Sequence, residues 1–290
     1  YGIFSGKKKI GGEEEIDVFK SVGLPYIPPE LRENRGEIEA AKEGRLPVLV
    51  ECADIKGDLH IHSKYSDGEN TIEEIVRKAK QMGYEYVGIV DHSRSMRFAG
   101  GLSISDLKKK INEIRRLNEK IKDITILAGA EVDIKVDGSL DYPDEILKEL
   151  DIVIAAIHSG FKMDQEKMTE RIIKGIENEY VHILAHPTGR LIGKRDPYRV
   201  DVERLIMAAA KRGIMLEINA YPERLDLPDI YCRRAKDEGI IMVISTDAHH
   251  LDQMRFMKFG VGVARRGWLE KKNILNTFSL KELFKKLKRI

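Results

Sequence analysis

From about residue 54 onward the chain alternates two patterns. Short, nearly continuous apolar runs at 86–90, 124–130, 152–157, 181–185, 214–219 and 240–245 are separated by polar loops and longer amphipathic stretches. Apolar runs of this length predict parallel strands covered on both faces. The first amphipathic stretch buries Ile72, Ile75, Val76, Ala79 and Met82 at helical spacing. It opens at Thr71, with Glu74 completing a capping box, and closes at Gly83. A second helix is expected over about 105–122, with Leu107, Ile111, Ile114, Leu117 and Ile121 as its buried face. With a further strand at 58–62, about seven strands alternate with helices. The pattern predicts an α/β fold with a parallel sheet, and the count suits a distorted seven-stranded (β/α) TIM-like barrel over 55–290. An open doubly wound sheet is the competing architecture.

Residues 1–54 lack that rhythm. Ile16, Phe19 and Val22 fit a short helix stopped by Gly23-Leu24-Pro25, and the prolines of Tyr26-Ile27-Pro28-Pro29 force an extended or turn segment. Glu37 to Lys42 is a second short helical candidate, ended by Gly44, and Pro47 leads into Val48-Leu49-Val50. This reads as a helical and extended attachment segment that packs on the barrel rather than a separate domain.

Charge narrows the picture only slightly. Lysine plus arginine (50) nearly balances aspartate plus glutamate (48), so there is no global nucleic-acid signature and any basic surface must be local. Two cysteines, Cys52 and Cys232, in no metal or redox spacing, argue against a disulfide framework and for a cytoplasmic location. No apolar run is long enough to span a bilayer and no signal peptide opens the chain. Because the first residue is Tyr1, a fragment of a longer protein is expected.

The candidate chemistry lies at the strand ends. The first strand carries His60 and His62, whose side chains share one face of an extended chain. Asp67 follows on the next loop. The second strand ends at His92, the third runs into Glu131, the fourth into His158, the fifth into His186 and the last into Asp247 and His249. In a parallel barrel the C-terminal strand ends converge on one face, where active sites are built. Any one of these histidines is more often structural than ligating, but six of the eight in the chain fall at strand ends. Nine nitrogen and oxygen donors exceed the coordination of one ion and suit two or three. Histidine and carboxylate without thiolate favour zinc, manganese or iron. His182, inside a strand, and His250, at a loop or cap, stay outside the set.

The motifs Asp58-Leu59-His60-Ile61-His62-Ser63, Ser66-Asp67-Gly68, Asp91-His92-Ser93, Ala130-Glu131, Ile157-His158-Ser159, Ala185-His186-Pro187 and Thr246-Asp247-Ala248-His249 resemble those of the polymerase and histidinol phosphatase (PHP) family. The resemblance implies a distorted seven-stranded barrel with a trinuclear metal centre. His60, His62, Glu131 and Asp247 would hold the first ion; Glu131, His158 and His186 the second; Asp67, His92 and His249 the third. The segment from Gly23 to Asn34, together with His186-Pro187-Thr188-Gly189-Arg190-Leu191 and Glu217-Ile218-Asn219-Ala220, resembles bacterial and archaeal family X DNA polymerases. Tyr1-Gly2-Ile3-Phe4 resembles the end of a polymerase thumb, which implies that N-terminal polymerase domains belong to the full-length protein.

The resemblance implies a metal-dependent phosphoesterase, a manganese-dependent 3′–5′ exonuclease acting on DNA 3′ ends as part of a repair polymerase. Glu131, Asp247 and Arg190 are the expected catalytic groups, and a monomer is expected. Arg190, Lys194 and Arg195 follow the fifth strand and are candidates to clamp phosphate, with Arg94 and Arg97 a weaker pair after His92. The bland reading of these cations is a solvated basic loop. The alternatives are a small-molecule phosphatase such as a histidinol-phosphate phosphatase, and a metal-stabilised docking module without catalysis.

Overall fold

The computed structural model describes residues 2–287. The motif read at Tyr1 therefore lies partly outside the described residues. The N-terminal part begins with a hairpin, β1 (Ile3–Ser5) and β2 (Lys8–Gly11), which the hydrophobic pattern did not predict. Its strands are short and largely exposed, and the turn relies on Gly6 at φ +61°. Helices α1 (Glu15–Ser21) and α2 (Glu37–Lys42) follow close to their expected places.

This segment lies against the barrel through a small core of its own, Ile27, Leu31, Ala40, Ala41 and Leu49 packed with Trp268. Three ion pairs flank it: Glu30–Arg265 and Glu33–Arg266, each at 2.6 Å, and Arg35–Asp229 at 2.8 Å.

The barrel consists of β3 (Gly57–Ile61), β4 (Tyr86–Ile89), β5 (Thr125–Asp133), β6 (Ile152–Ala156), β7 (Ile183–Leu184), β8 (Met215–Asn219) and β9 (Met242–Ser245). Its seven strands are parallel and lie in sequential order. A doubly wound sheet would reverse direction at a switch point, so the order excludes it. The edges meet: Ile61 bridges Ala248, and His62 N–H donates to Ala248 C=O at 2.9 Å. Asp58 strengthens this seam by accepting from Thr246 N–H and Thr246 Oγ1.

Helices cover the outside, among them α3 (Ile72–Gln81) and α4 (Ile104–Lys120), each close to its expected span. Thr71 caps α3 with the expected reciprocal box, accepting from Glu74 N–H while Glu74 accepts from Thr71 N–H.

Two strand expectations need correction. The 181–185 run forms regular strand only over Ile183–Leu184, although His182 N–H and Ala185 N–H on either side still donate to Val153 C=O at 3.0 Å and Ala155 C=O at 2.9 Å, and the His182 ring accepts from Val153 N–H at 3.0 Å. The 124–130 run extends to Asp133, which places Glu131 within the strand.

The barrel interior is filled by Leu59, Tyr86, Val90, Leu127, Ile152, Ile154 and Ile183. These interior rows, continued toward the strand C-termini, become polar.

Candidate metal centre

Following the inward row along each strand shows why the polar residues meet. On β4, Tyr86 and Val90 face inward, so His92 does too. On β5 the row that starts at Leu127 reaches Glu131 and Asp133, and on β6 the row from Ile154 and Ala156 reaches His158. Strict alternation fails on β3, because Leu59 already faces inward. The register slips by one residue between Asp58 and Ile61, where three residues of β3 span two of β4. This bulge turns both His60 and His62 into the barrel, a common use of a bulge beside a site. Alternation also fails after β7, where Leu184 packs on the outer core and would send His186 outward. His186 has φ +28° and Asp247 φ +53°, left-handed conformations that redirect the chain. Their cost is offset by anchors, for the Glu217 carboxylate accepts from His186 N–H at 2.8 Å and Asn219 Nδ2 donates to Asp247 at 3.0 Å.

The nine candidate donors form one cluster: seven line a depression, and His60 and His62 lie fully buried against Glu131 and Asp247. Glu131 sits at its centre, with its two oxygens facing different groups. Oε1 is 2.9 Å from His186 Nε2 and 3.2 Å from His158 Nε2. Oε2 is 3.7 Å from both His60 Nε2 and His62 Nε2. Asp247 Oδ1 closes that second group, 3.1 Å from His62 Nε2 and 3.6 Å from His60 Nε2. Nearer to solvent, Asp67 Oδ2 lies 3.4 Å from His92 Nε2 and 3.4 Å from His249 Nε2.

Buried charge governs the electrostatics. Burial opposes ionisation of Glu131, but His158, His92 and His60 outweigh it and hold its pKa well below the carboxylate range. Burial opposes ionisation of Asp247 in the same way, and His60, His62 and His249 overcome it. Burial also disfavours charged His92, yet Glu131 and Asp67 raise its pKa to about 10. His186 goes the other way, lowered by burial and then by Arg224.

The donors present fit divalent cations. Glu131 Oε2 is buried and 2.8 Å from His92 Nδ1, but without the alignment of a hydrogen bond, and Nδ1 of His92 and His186 is likewise unpartnered. A cation among these atoms supplies the interaction that hydrogen bonding leaves unmade.

A second set of residues holds the donors in place. Glu217 Oε1 lies 2.7 Å from His60 Nδ1, and a carboxylate only accepts, so Nδ1 carries the proton and Nε2 is left free to ligate. Asp91 accepts from Ser63 N–H, Ser63 Oγ, Ser66 Oγ and the fully buried Lys110 ammonium, which fixes the loop bearing Asp67. Glu217 and Asn219 end the one strand to which no ligand was assigned. Their place in the inward row from Met215 was the signal that could have found them.

The basic candidates divide. Arg195, whose Nε and Nη2 donate to Gly189 C=O at 3.1 and 2.7 Å, lines the depression, a cavity of about 270 Å³, together with Arg224, which was not among the sequence candidates. Arg190 does not line it, and its guanidinium donates to the backbone carbonyls of Arg224 and Leu225. Lys194 pairs with Glu223 at 2.7 Å on the surface, and Arg94 pairs with Asp141 at 3.2 Å. Arg97 is exposed and does not line the cavity either. Of the basic candidates, the structure thus brings Arg195 to the depression and directs Arg190, Lys194, Arg94 and Arg97 elsewhere. His250 caps the short helical turn Leu251–Phe256, as expected of a residue outside the ligand set.

Comparison with known proteins agrees with this geometry. The PHP domain family model matches residues 58–221, and the DNA polymerase beta thumb model matches residues 1–33. The chain is 44% identical over 275 residues to the DNA polymerase/3′-5′ exonuclease PolX of Bacillus subtilis, covering 95% of this chain but 48% of that protein. It thus spans about half the length of that relative. It is 33% identical to a protein named "Probable phosphatase" in Thermoanaerobacter sp. (strain X514), over 80% of this chain and 95% of that one. Among solved structures, the histidinol phosphate phosphatase of Lactococcus lactis, complexed with zinc, L-histidinol and phosphate, shares the fold. The match has a TM-score of 0.52 at 18% identity, over 72% of this chain and 93% of that one.

Proposed function

We propose that this chain, which belongs to the PHP domain family, hydrolyses 3′-terminal phosphodiesters of DNA with divalent metal ions, as the exonuclease part of a family X DNA polymerase. The observation that carries the reading is the placement of Glu131, one buried carboxylate with an oxygen toward each of two imidazole groups. Three ions are proposed, with manganese the expected activator and zinc or iron the other candidates. His60, His62, Glu131 and Asp247 would hold one, Glu131, His158 and His186 a second, and Asp67, His92 and His249 a third. Bound there, divalent ions would lower the pKa of an attacking water and stabilise charge on the phosphate.

The protein's own residues orient that reaction. Glu131 and Asp247 supply fixed negative charge at the base of the cavity. Glu217, Asn219 and Asp91 keep the donors in register, so little reorganisation is needed when substrate enters. Arg195 and Arg224, on the cavity wall, are placed to receive non-bridging phosphate oxygens. The 44% identity to a protein named polymerase and 3′-5′ exonuclease, together with the thumb match over residues 1–33, favours DNA over a small phosphomonoester. On this reading residues 1–54 attach the barrel, 55–290, to polymerase domains, in the cytoplasm.

The test is digestion of a 3′-labelled primer with Mn²⁺ by wild type and His62→Ala. Wild type should release nucleoside 5′-monophosphates and the variant should not; equal digestion by both removes the proposal.

A further inference from the structure

The cavity has one feature that metal chemistry does not require. After His92 the chain makes a short helical turn, Arg97–Ala99, whose central residue Phe98 is 86% exposed and yet lines the cavity. An exposed phenylalanine forgoes the stabilisation of burial, and isolated cases need no special explanation. Here its position and its rigidity distinguish it.

The turn is clamped on both sides of the ring. Met96, Ala99 and Leu102 are buried. Ser95 N–H donates to Asp141 at 2.7 Å, and Leu102 N–H donates to His92 C=O at 2.9 Å. Gly100 turns the chain at φ +66°, and Gly101 packs so closely that an added Cβ would stand 2.0 Å from Ser93 O. Phe98 is thus held out by an ordered turn. The other aromatic ring on the cavity, Phe161, is already engaged, with the Arg195 guanidinium 4.2 Å from its centroid and Tyr198 stacked at 6.1 Å. Among the described residues no aromatic ring or cation contacts Phe98, so its faces are open.

The surroundings select the class of ligand. The cavity combines metal-ligating donors, two arginines and a free aromatic face at its mouth. Phosphate oxygens suit the first two, and a planar base suits the third. A volume of about 270 Å³ lies just below the usual range of ligand pockets and suits a single nucleotide. Stacking on one ring accepts any base, which matches an enzyme that must remove successive nucleotides.

Building on the nuclease reading above, we propose that Phe98 is a stacking platform for the terminal base of a single-stranded DNA 3′ end.

The test compares kcat/KM with Mn²⁺ on two 3′-labelled single strands, identical except that one ends in an ordinary nucleotide and the other in an abasic tetrahydrofuran residue. Wild type should favour the base-bearing end by about tenfold, as loss of one base–aromatic stack implies. Phe98→Ala should bring the ratio close to one, and Phe98→Trp should restore it. A wild type without preference, or a Phe98→Ala variant that keeps it, overturns the platform while leaving the nuclease reading intact. If wild type digests neither strand but releases inorganic phosphate from histidinol phosphate, the nuclease reading fails and the platform with it.

Discussion

His60 Nδ1 lies 2.7 Å from Glu217 Oε1, and the other oxygen of that carboxylate accepts from His186 N–H at 2.8 Å. One fully buried side chain thus sets the tautomer of a donor in one proposed metal group and the backbone of a donor in another. Glu217→Gln keeps the shape but presents an amide where two acceptors are needed. The expected result is about a ten- to a hundredfold loss of Mn²⁺ affinity, typical when the hydrogen-bond partner of a metal-bound histidine is changed. Calorimetric titration of the metal-free chain checks it, with circular dichroism to verify the fold. Unchanged affinity would mean that His60 is oriented by something other than Glu217.

The buried pair Lys110–Asp91, 3.0 Å apart, makes a stability prediction. Lys110 also donates to Gly129 C=O at 2.9 Å, and both side chains are fully enclosed. Lys110→Met should destabilise the chain by about 3–5 kcal/mol, because it strands a buried carboxylate. The double variant Lys110→Met with Asp91→Asn should recover part of that loss, since no unpaired charge remains. Urea denaturation of the three proteins reads both numbers. If the single variant unfolds at the wild-type midpoint, the pair does not hold the Asp67 loop.

The arginines can be separated by what each loss changes. Arg224→Ala removes a cation from the cavity wall, where Nε is 3.4 Å from Asp247, and should lower kcat/KM by about tenfold or more, the scale of one charged hydrogen bond. Arg190→Ala instead leaves the Arg224 and Leu225 carbonyls without their donor. It should cost about 1–2 kcal/mol of stability and affect kcat/KM less than Arg224→Ala does. Steady-state rates and thermal melts of both variants decide. The reverse pattern would return the phosphate clamp to Arg190.

The contrast between these arginines shows what could be read from sequence. That nine donors gather on one face follows from strand-end position, a local property that hydrophobic runs mark well. The barrel was legible for the same reason. The inward turn of His60 was not, because the bulge beyond Asp58 depends on pairing with β4. Nor was the aim of Arg190, since four residues past His186 the path is fixed by Glu217 and by the Asn219–Asp226 bridge, both distant in sequence. Phe98 carries no sequence signal of its own, because only the clamped turn, which buries Met96 and Ala99, holds its ring outside. The hairpin at β1 and β2 escaped because strands that bury almost nothing leave no hydrophobic period.

Proton competition gives the pH dependence. In the metal-free chain burial disfavours charged His92, but Glu131 and Asp67 prevail and raise its pKa to about 10; His60, His158 and His249 are raised as well by nearby carboxylates. With a pKa of about 10, His92 therefore carries a second ring proton at neutral pH, and a metal ion must displace it. Apparent Mn²⁺ affinity should climb as pH rises from 7 and level off near the His92 value of about 10. The stability of the metal-free fold should move oppositely. A raised histidine pKa contributes stability that is complete below the unfolded value of about 6.5 and is lost as pH passes the folded one. Titrating Mn²⁺ into the metal-free chain at pH 7 in two buffers of different ionisation enthalpy should reveal proton release on binding, with His92 as a source. Metal binding without proton release would show that His92 is already neutral, and the assigned charge balance of the cavity would fail.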